Sequence, residues 1–487
     1  MRRCVMGLDI GTTCAKACVV EESGHVLGTG SAGYGLLTHG DAVEQQVVDW
    51  IDGAAKAARA ALETAGEIRV EGISLSTQGG TTAAVDAEGR VLGPAWTWMD
   101  SRSLPEAREA ETALGGEFIY RVTGFRVSPA MDLSKLRRMR AEPALRGAAK
   151  YYTTLEIMNR WLTGNPAIDP TNASLRQLFS LEGGDWDDRL LAFAGVSRDE
   201  LPDILPTSAL VGTLGSEAAA ALGVAPGVPV FNGALDQYCA ALGAGAVRAS
   251  DLLLSAGTTW VLLAITEKPL FSRSYIAPGR HPAGNLYGAL ASLTASGAAL
   301  QWFKDNFMPE DFNIMNREAA ARVARTEKLF FLPWQAGANY PVWESSARGV
   351  FAGLTLEHDR FDLARAIMEG VAFGVRRALE DFAENGVPIR QIRMLGGAAK
   401  SDLWTRMVAA AAGVSVVRLD QSEVCALGAA AIAGVAAGIF TDYGAASAAM
   451  TRPEPAIKAS PEEIRAADAK YQRYIALSRA MSAFYHE

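Results

Sequence analysis

Two aspartates and three glycine-rich turns carry the chemistry this sequence can offer. Asp9 sits in a short apolar run, Val5 to Ile10, and Gly11-Thr12-Thr13 follows it. Such a turn presents successive backbone N–H groups and two hydroxyls, and glycine lets the main chain approach a phosphate closely. Asp9 beside it is a candidate Mg²⁺ ligand, because that hard cation prefers carboxylate and water. Taken alone, the tripeptide is equally well read as an ordinary hairpin turn. Gly257-Thr258-Thr259 repeats it after a second apolar run, Leu252 to Ala256. Facing each other across a cleft, the two turns would clamp a polyphosphate. Gly396-Gly397-Ala398-Ala399-Lys400-Ser401 is a strand-to-helix turn able to admit a nucleotide base or ribose.

Asp236 lies between an apolar strand, Val228 to Phe231, and a run of small residues. A carboxylate at such a turn is placed to take a proton from a hydroxyl. It is also what a helix N-cap looks like. Trp96-Thr97-Trp98-Met99-Asp100-Ser101-Arg102 gathers aromatic faces, a carboxylate and a guanidinium, a combination that binds sugars. A buried tryptophan beside a surface ion pair gives the same pattern. Glu44-Gln45-Gln46 is polar where the following helical pattern does not explain it.

Several classes are excluded. No GxxxxGK[ST] is present and no GxGxxG follows the first strand, so neither a P-loop nor a dinucleotide fold is expected. His25, His39, His281, His358 and His486 show no ligand spacing, and HExxH and GxSxG are absent. The five cysteines form no CxxC pair, which predicts reduced thiols and no structural zinc. The net charge of −8 argues against a general nucleic-acid binder. Val424 to Phe440 is uncharged and Ala/Gly-rich, and too short to span a bilayer, so it reads as a buried helix. No signal-peptide pattern opens the chain, and a cytoplasmic protein is the expectation.

The elements that must position these residues are legible from hydrophobic periodicity. Val5–Ile10, Ala15–Val20 and Val26–Ala32 read as a strand meander. Val47, Ile51, Ala54, Ala58 and Leu62 fall at helical spacing, and Gly66 stops the helix. Val70–Ser76 and Thr82–Val85 read as strands. The second half opens alike: strand, Gly-Thr-Thr, strand Trp260–Ile265, then a helix over Leu363–Phe382, a strand Ile392–Leu395 and a helix Ser401–Ala412. With 487 residues and 49% hydrophobic content, the chain reads as two α/β domains of related build, 1–247 and 248–487, with a cleft between them.

Together these motifs resemble the FGGY family of carbohydrate kinases, and within it the xylulokinase branch. The resemblance runs in order along nearly the whole chain: Asp9-Ile10-Gly11-Thr12-Thr13, Glu44-Gln45, Trp98-x-Asp100-x-Arg102, "WLTGNPAIDPTNASLRQLF", "GALDQYCAALGAG", "SAGTTWV", "SLTASGAALQWF", "AIMEGVAFGVRRALE" and "MLGGAAKSDLW". It implies an actin-like fold of two ribonuclease-H-like domains closing on ATP·Mg²⁺ and a ketose or polyol. It makes Asp236 the general base and Asp9, with Asp236, the Mg²⁺ site. Gly11, Thr12, Thr13, Lys16, Gly257, Thr258 and Thr259 would take the phosphates. Gly297, Gly396, Gly397 and Ser401 would line the adenosine. Gln45, Gln78, Gly79, Gly80, Thr81, Trp98, Asp100, Arg102, Asp236 and Gln237 would meet the sugar. A homodimer is implied by the resemblance alone.

The sequence departs from the branch at one place. Gly-Gln-Met-His-Gly is replaced by Thr77-Gln78-Gly79-Gly80-Thr81, so the Met-His pair aligns with Gly79-Gly80. Losing the imidazole removes a polar contact, enlarges the pocket and weakens the case for D-xylulose. Gln78 and Thr81 are expected to replace part of that contact. Ribulose, a hexulose, erythritol and glycerol are the alternative acceptors. A non-catalytic actin-like nucleotide-binding regulator is the alternative of a different class.

Overall fold

A computed structural model describes residues 2–338, 340, 344–419 and 423–485; His486 lies outside them. The first half is built on β1 (Arg2–Ile10), β2 (Cys14–Glu21) and β3 (Val26–Gly33), followed by helix α1 (Val47–Ala65) and strand β4 (Ile68–Thr77). Further along come β5 (Leu210–Thr213), β6 (Pro229–Leu235) and α2 (Asp236–Ala244). These strands form one six-stranded sheet in the order β5-β6-β4-β1-β2-β3. The second half supplies β7 (Leu252–Ala256), β8 (Trp260–Thr266), β9 (Ala277–Arg280), β10 (Tyr287–Leu293), α3 (Ser296–Phe307), α4 (Phe312–Ala320) and α5 (Arg360–Glu384). Then follow β11 (Gln391–Leu395), α6 (Asp402–Ala412), β12 (Ser415–Arg418) and α7 (Val424–Ala436). Its six-stranded sheet runs β9-β10-β8-β7-β11-β12.

The two sheets share one plan. In the first, β1 pairs antiparallel with β2, and β2 with β3, while β4 and β6 add in parallel on the other side. In the second, β7 pairs antiparallel with β8 and β8 with β10, while β11 and β12 add in parallel. This meander followed by crossovers is the ribonuclease-H-like arrangement, present twice. Each Gly-Thr-Thr is the hairpin turn after the central strand, so the tripeptide repeat reflects a repeat of structure.

A smaller five-stranded sheet is inserted in the first half. It pairs Ala42–Gln45 with Ala95–Trp96, and Thr82–Val85 with Lys150–Thr153. That explains Glu44-Gln45: these residues end a strand, which is why helical periodicity missed them. The strand before Asp236 runs on to Leu235, farther than the apolar run to Phe231 suggested. Polar Asn232 and Gly233 hide it in the sequence.

Helix α7 is buried as expected, but against the first half. It packs on β1, β2, β4 and α2. Val5, Cys18, Val20 and Phe231 meet Ala426, Leu427, Ala430 and Ala433 in one apolar cluster. The approach is backbone to backbone. A Cβ on Gly7 would fall 1.9 Å from the Ala426 carbonyl oxygen, and one on Gly428 would fall 1.9 Å from that of Cys239. No helix among the described residues is long and apolar enough to cross a membrane. All five cysteines are free thiols.

Gly428→Ala therefore has to push α7 off α2. It should lower the melting temperature by about 5–10 °C in a thermal scan, whereas Gly35→Ala, with no atom within 4 Å of the added Cβ, should change it by less than about 1 °C.

Candidate active site

The parallel register brings three chain segments to one edge of the first sheet. Asp9 pairs with Ser76, Ile10 with Thr77, and Thr77 with Leu235. The next residues out are Gly11, Gln78 and Asp236, on strands spaced about 4.8 Å apart. Ser76 Oγ donates to Asp9 Oδ1 at 2.7 Å, and the Gln237 backbone N–H donates to Asp236 Oδ1 at 2.6 Å. Asp236 is the first residue of α2, with Leu235 at the N-cap, so the N-cap reading of this aspartate does not hold.

Burial raises the pKa of both carboxylates, and Asp236 also sits in the field of Asp9. Asp236 is pushed up to about 7, by desolvation first and then by Asp9, against the opposing Gln237 N–H. Asp9 is pushed up to about 6 by burial, which outweighs the Ser76 hydrogen bond and the nearby Lys16. Such a pair is a place for a cation. Among the described residues no group of three or more His, Cys, Asp or Glu side chains gathers as a metal site. Two carboxylates with spare oxygens suit Mg²⁺, which keeps most of its water and draws its remaining ligands from substrate phosphates.

The Gly11 turn is tied to its surroundings. Gly11 N–H donates to the Cys14 carbonyl, and Trp98 Nε1 donates to Thr12 Oγ1 at 3.0 Å. Thr13 is exposed beside them. Gln45 Nε2 donates to the Thr12 carbonyl at 2.5 Å, and Gln78 Nε2 donates to Gln45 Oε1 at 2.7 Å. Lys16 reaches Glu423, at the start of α7, with 2.8 Å between Nζ and Oε2. Lys16 is thus shared between the turn and the second half.

Two expectations for the sugar end are corrected. Asp100 was expected to face a hydroxyl, but it is buried and both its oxygens are taken, by the Val43 N–H and by Arg102. It fixes Arg102, which also holds Glu44 at 2.6 Å and lies 3.7 Å from the centre of the Trp96 ring. Replacing Met-His by Gly79-Gly80 was expected to enlarge the pocket. Instead Leu175 and Leu235 fill the room at position 79, where a Cβ would meet them at 2.1 and 2.5 Å. Gly80 adopts φ +68°, a conformation costly for other residues. Lys135, which no motif revealed, holds this loop: its buried Nζ donates to the carbonyls of Gly80, Trp96 and Thr97, and burial lowers its pKa to about 8. Thr81 is buried with its hydroxyl unpartnered, as are the Oε1 atoms of Gln78 and Gln237.

In the second half, a cavity of about 680 Å³ is lined by Gly257, Thr258, Gly297, Gly397 and Ser401, a size that suits a nucleoside. These are residues the sequence nominated for nucleotide. Gly396, at φ +97°, sits against the Ala256 backbone and turns the chain into it. Thr258 accepts the Ala298 N–H on its carbonyl, and Ser401 Oγ donates to Asn316 Oδ1 at 3.0 Å while capping α6. Thr259 is less available than expected, since its hydroxyl donates to the Thr294 carbonyl at 3.0 Å. Sequence reasoning missed Phe312, Asn313 and Asn316 on this wall. They lie on α4, in a segment with no glycine-rich signature.

Comparison with known proteins agrees with this architecture. Residues 4–243 match the N-terminal domain of the FGGY family of carbohydrate kinases, and residues 252–437 match its C-terminal domain. The chain belongs to this family. It is a sugar or polyol kinase. It is 28% identical to a gluconokinase of Bacillus subtilis over 91% of this chain and 89% of that protein. It is 30% identical to a glycerol kinase of Bordetella parapertussis over 98% and 97%. The solved xylulose kinase of Rhodospirillum rubrum superposes with a TM-score of 0.93 at 27% identity, covering 100% of both chains.

The raised carboxylates of this FGGY kinase set a stability prediction. With its folded pKa lifted from 3.8 to about 7, Asp236 favours the folded state most at low pH, and this is lost as pH rises through about 7. Asp236→Asn should therefore melt higher than the parent by an amount that grows from pH 5 to pH 8, about 1–3 kcal/mol at the upper end when no metal is added. Equal offsets at both pH values would show that Asp236 ionises freely.

Proposed function

We propose that this FGGY kinase transfers the γ-phosphoryl group of ATP to a terminal hydroxyl of a ketose or polyol, with a pentulose such as xylulose as leading acceptor and Asp236 as general base. The observation that carries this reading is the row of Asp9, Gln78 and Asp236 at neighbouring strand ends, with the Gly11 turn beside it. Asp236 takes the proton from the acceptor hydroxyl. The oxygen forms a bond to the γ-phosphorus in line with the departing β-phosphate oxygen, and ADP leaves. A pKa near 7 suits a base that must lose and regain a proton each turnover.

Gly11, Thr12, Thr13 and Lys16 hold the phosphates from one side, Gly257 and Thr258 from the other. Gly297, Gly397 and Ser401 surround the adenosine in the second-half cavity, and Gly396 turns the chain into it. Asp9 and Asp236 would hold Mg²⁺, which would supply positive charge against the phosphate oxygens. Positioning and charge neutralisation provide most of the rate in such a transfer. The name of the Rhodospirillum rubrum relative favours a pentulose. The Gly79-Gly80 departure favours examining ribulose, hexuloses, erythritol and glycerol beside it. The same reading extends to a domain boundary at 247/248, a cytoplasmic enzyme and a homodimer.

A coupled assay of ADP release with ATP·Mg²⁺ tests the activity. Asp236→Ala should lower turnover by about 10²–10⁴-fold while ATP affinity by calorimetry stays within about twofold. Near-normal turnover would remove Asp236 from the role of base.

A further inference from the structure

Asp236 follows a strand end that the sheet alone does not fix. β5 pairs with β6 from Pro229 to Phe231, and Ser208 and Ala209 carry the contact on to Asn232. On the other side, the pairing of β6 with β4 shifts register between Phe231 and Ala234, and resumes at Ala234 and Leu235. Asp236 comes next. The Leu235 N–H is taken by a side chain: it donates to Thr171 Oγ1 at 2.8 Å. Thr171 is 1% exposed and lies on the short helix Pro170–Leu175.

The direction of that contact is set by Asp169. Thr171 Oγ1 donates its one hydrogen to Asp169 Oδ2 at 2.7 Å, which leaves the hydroxyl only its lone pairs for Leu235. The Thr171 N–H and the Thr207 hydroxyl donate to the same oxygen, at 2.9 and 3.0 Å. Asp169 Oδ1 takes the Asn172 N–H at 3.2 Å and Asn172 Nδ2 at 2.7 Å. Asn172 Oδ1 in turn accepts from Thr77 Oγ1 at 3.4 Å, and Thr77 is the last residue of β4 and pairs with Leu235. One carboxylate thus reaches both strand ends. Asp169 is fully buried, and none of these donors is a cation. A charge so placed is costly unless it is well hydrogen-bonded. Its donors keep it there, and what they hold in turn is the end of β6.

We infer that Thr171, oriented by Asp169, is a positioning residue for phosphotransfer: it fixes the Leu235 N–H and, through it, the place of the Asp236 carboxylate. This rests on the reading of Asp236 as general base and deepens it. Thr171 acts through the main chain of its neighbour. Misplacing a reacting group by about 1 Å can cost about 10²-fold in rate. Valine at position 171 keeps the shape of threonine and removes the lone pairs, whereas serine keeps them.

The test uses the full chain with ATP·Mg²⁺, ADP release as readout, and whichever of xylulose, ribulose, erythritol, glycerol and gluconate turns over best. Thr171→Val should lower kcat by about 10–100-fold, with KM for that compound and ATP affinity by calorimetry within about threefold. Thr171→Ser should keep kcat within about threefold. Thr207→Val removes a donor from the same Asp169 oxygen but leaves the link to Leu235. It should lower the melting temperature while kcat stays within about threefold. In an Asp236→Ala background, Thr171→Val should change the residual rate by less than about twofold, because its effect runs through that carboxylate. Thr171→Ala, which also lacks the hydroxyl, is read in the same way where Thr171→Val does not bind ATP.

Parental kcat in Thr171→Val would overturn the inference and leave Asp236 as base. An equal loss in Thr207→Val, or the same fold-loss with and without Asp236, would overturn it too, by reducing the hydroxyl to structural support. Loss of ATP binding in both Thr171→Val and Thr171→Ala would do the same. Near-normal turnover of Asp236→Ala would overturn the reading of the base, and this inference with it. ATP binding without phosphorylation of any compound in the panel would overturn both as well.

Discussion

Three parallel strands that end level with one another are the constraint on which this molecule turns. Once β1, β4 and β6 are in register, Asp9, Gln78 and Asp236 have no freedom to lie elsewhere. A slip of one residue in β1 would send Asp9 to the opposite face. The cost is visible in the two carboxylates, whose pKa values are raised by burial, that of Asp236 also by Asp9. Backbone pairing holds them in a place that their own charges oppose. The rest of the first half answers to that requirement: Ser76 and the Gln237 N–H blunt the charges, and α1 on one face and α7 on the other bury the strands that carry them.

The two halves use one plan for different ends. In the first, the central hairpin turn stands beside carboxylates and amides. In the second, the equivalent turn rests on the start of α3, where Gly297 packs directly on the Gly257 carbonyl, and opens into the cavity between α3, α4 and α6. The same local device is thus joined to two chemistries by what surrounds it. Fold alone does not choose an acceptor, which is why relatives named for gluconate, glycerol and xylulose all match this chain.

Much of this was legible in the sequence, for definite reasons. Central strands buried on both faces are apolar runs, and turns need glycine, so β1, β2, β7, β8 and both Gly-Thr-Thr turns stood out. Residues lining the second-half cavity stood out where they lay on such turns. Asn313 and Asn316 were not, because a helix wall carries no signature until its partner is known. Lys135 was hidden for the same reason: its three acceptors are backbone carbonyls from two separate loops, which no spacing encodes. The volume at Gly79 was misjudged because Leu175, which fills it, is far away in sequence. The sugar contact expected of Asp100 could not be judged from the sequence, which does not say that Val43 and Arg102 use up its oxygens.

The position of α7 has a consequence for how the chain is made. Residues 424–436 cover the apolar face formed by Val5, Cys18, Val20 and Phe231, all from the first half. On the ribosome, that face exists as soon as the first sheet pairs, yet its cover emerges only about 190 residues after Phe231. At about 5–20 residues per second the wait is on the order of tens of seconds. During it the nascent first half presents a sticky surface built around small residues and close backbone contacts, which little else can fit.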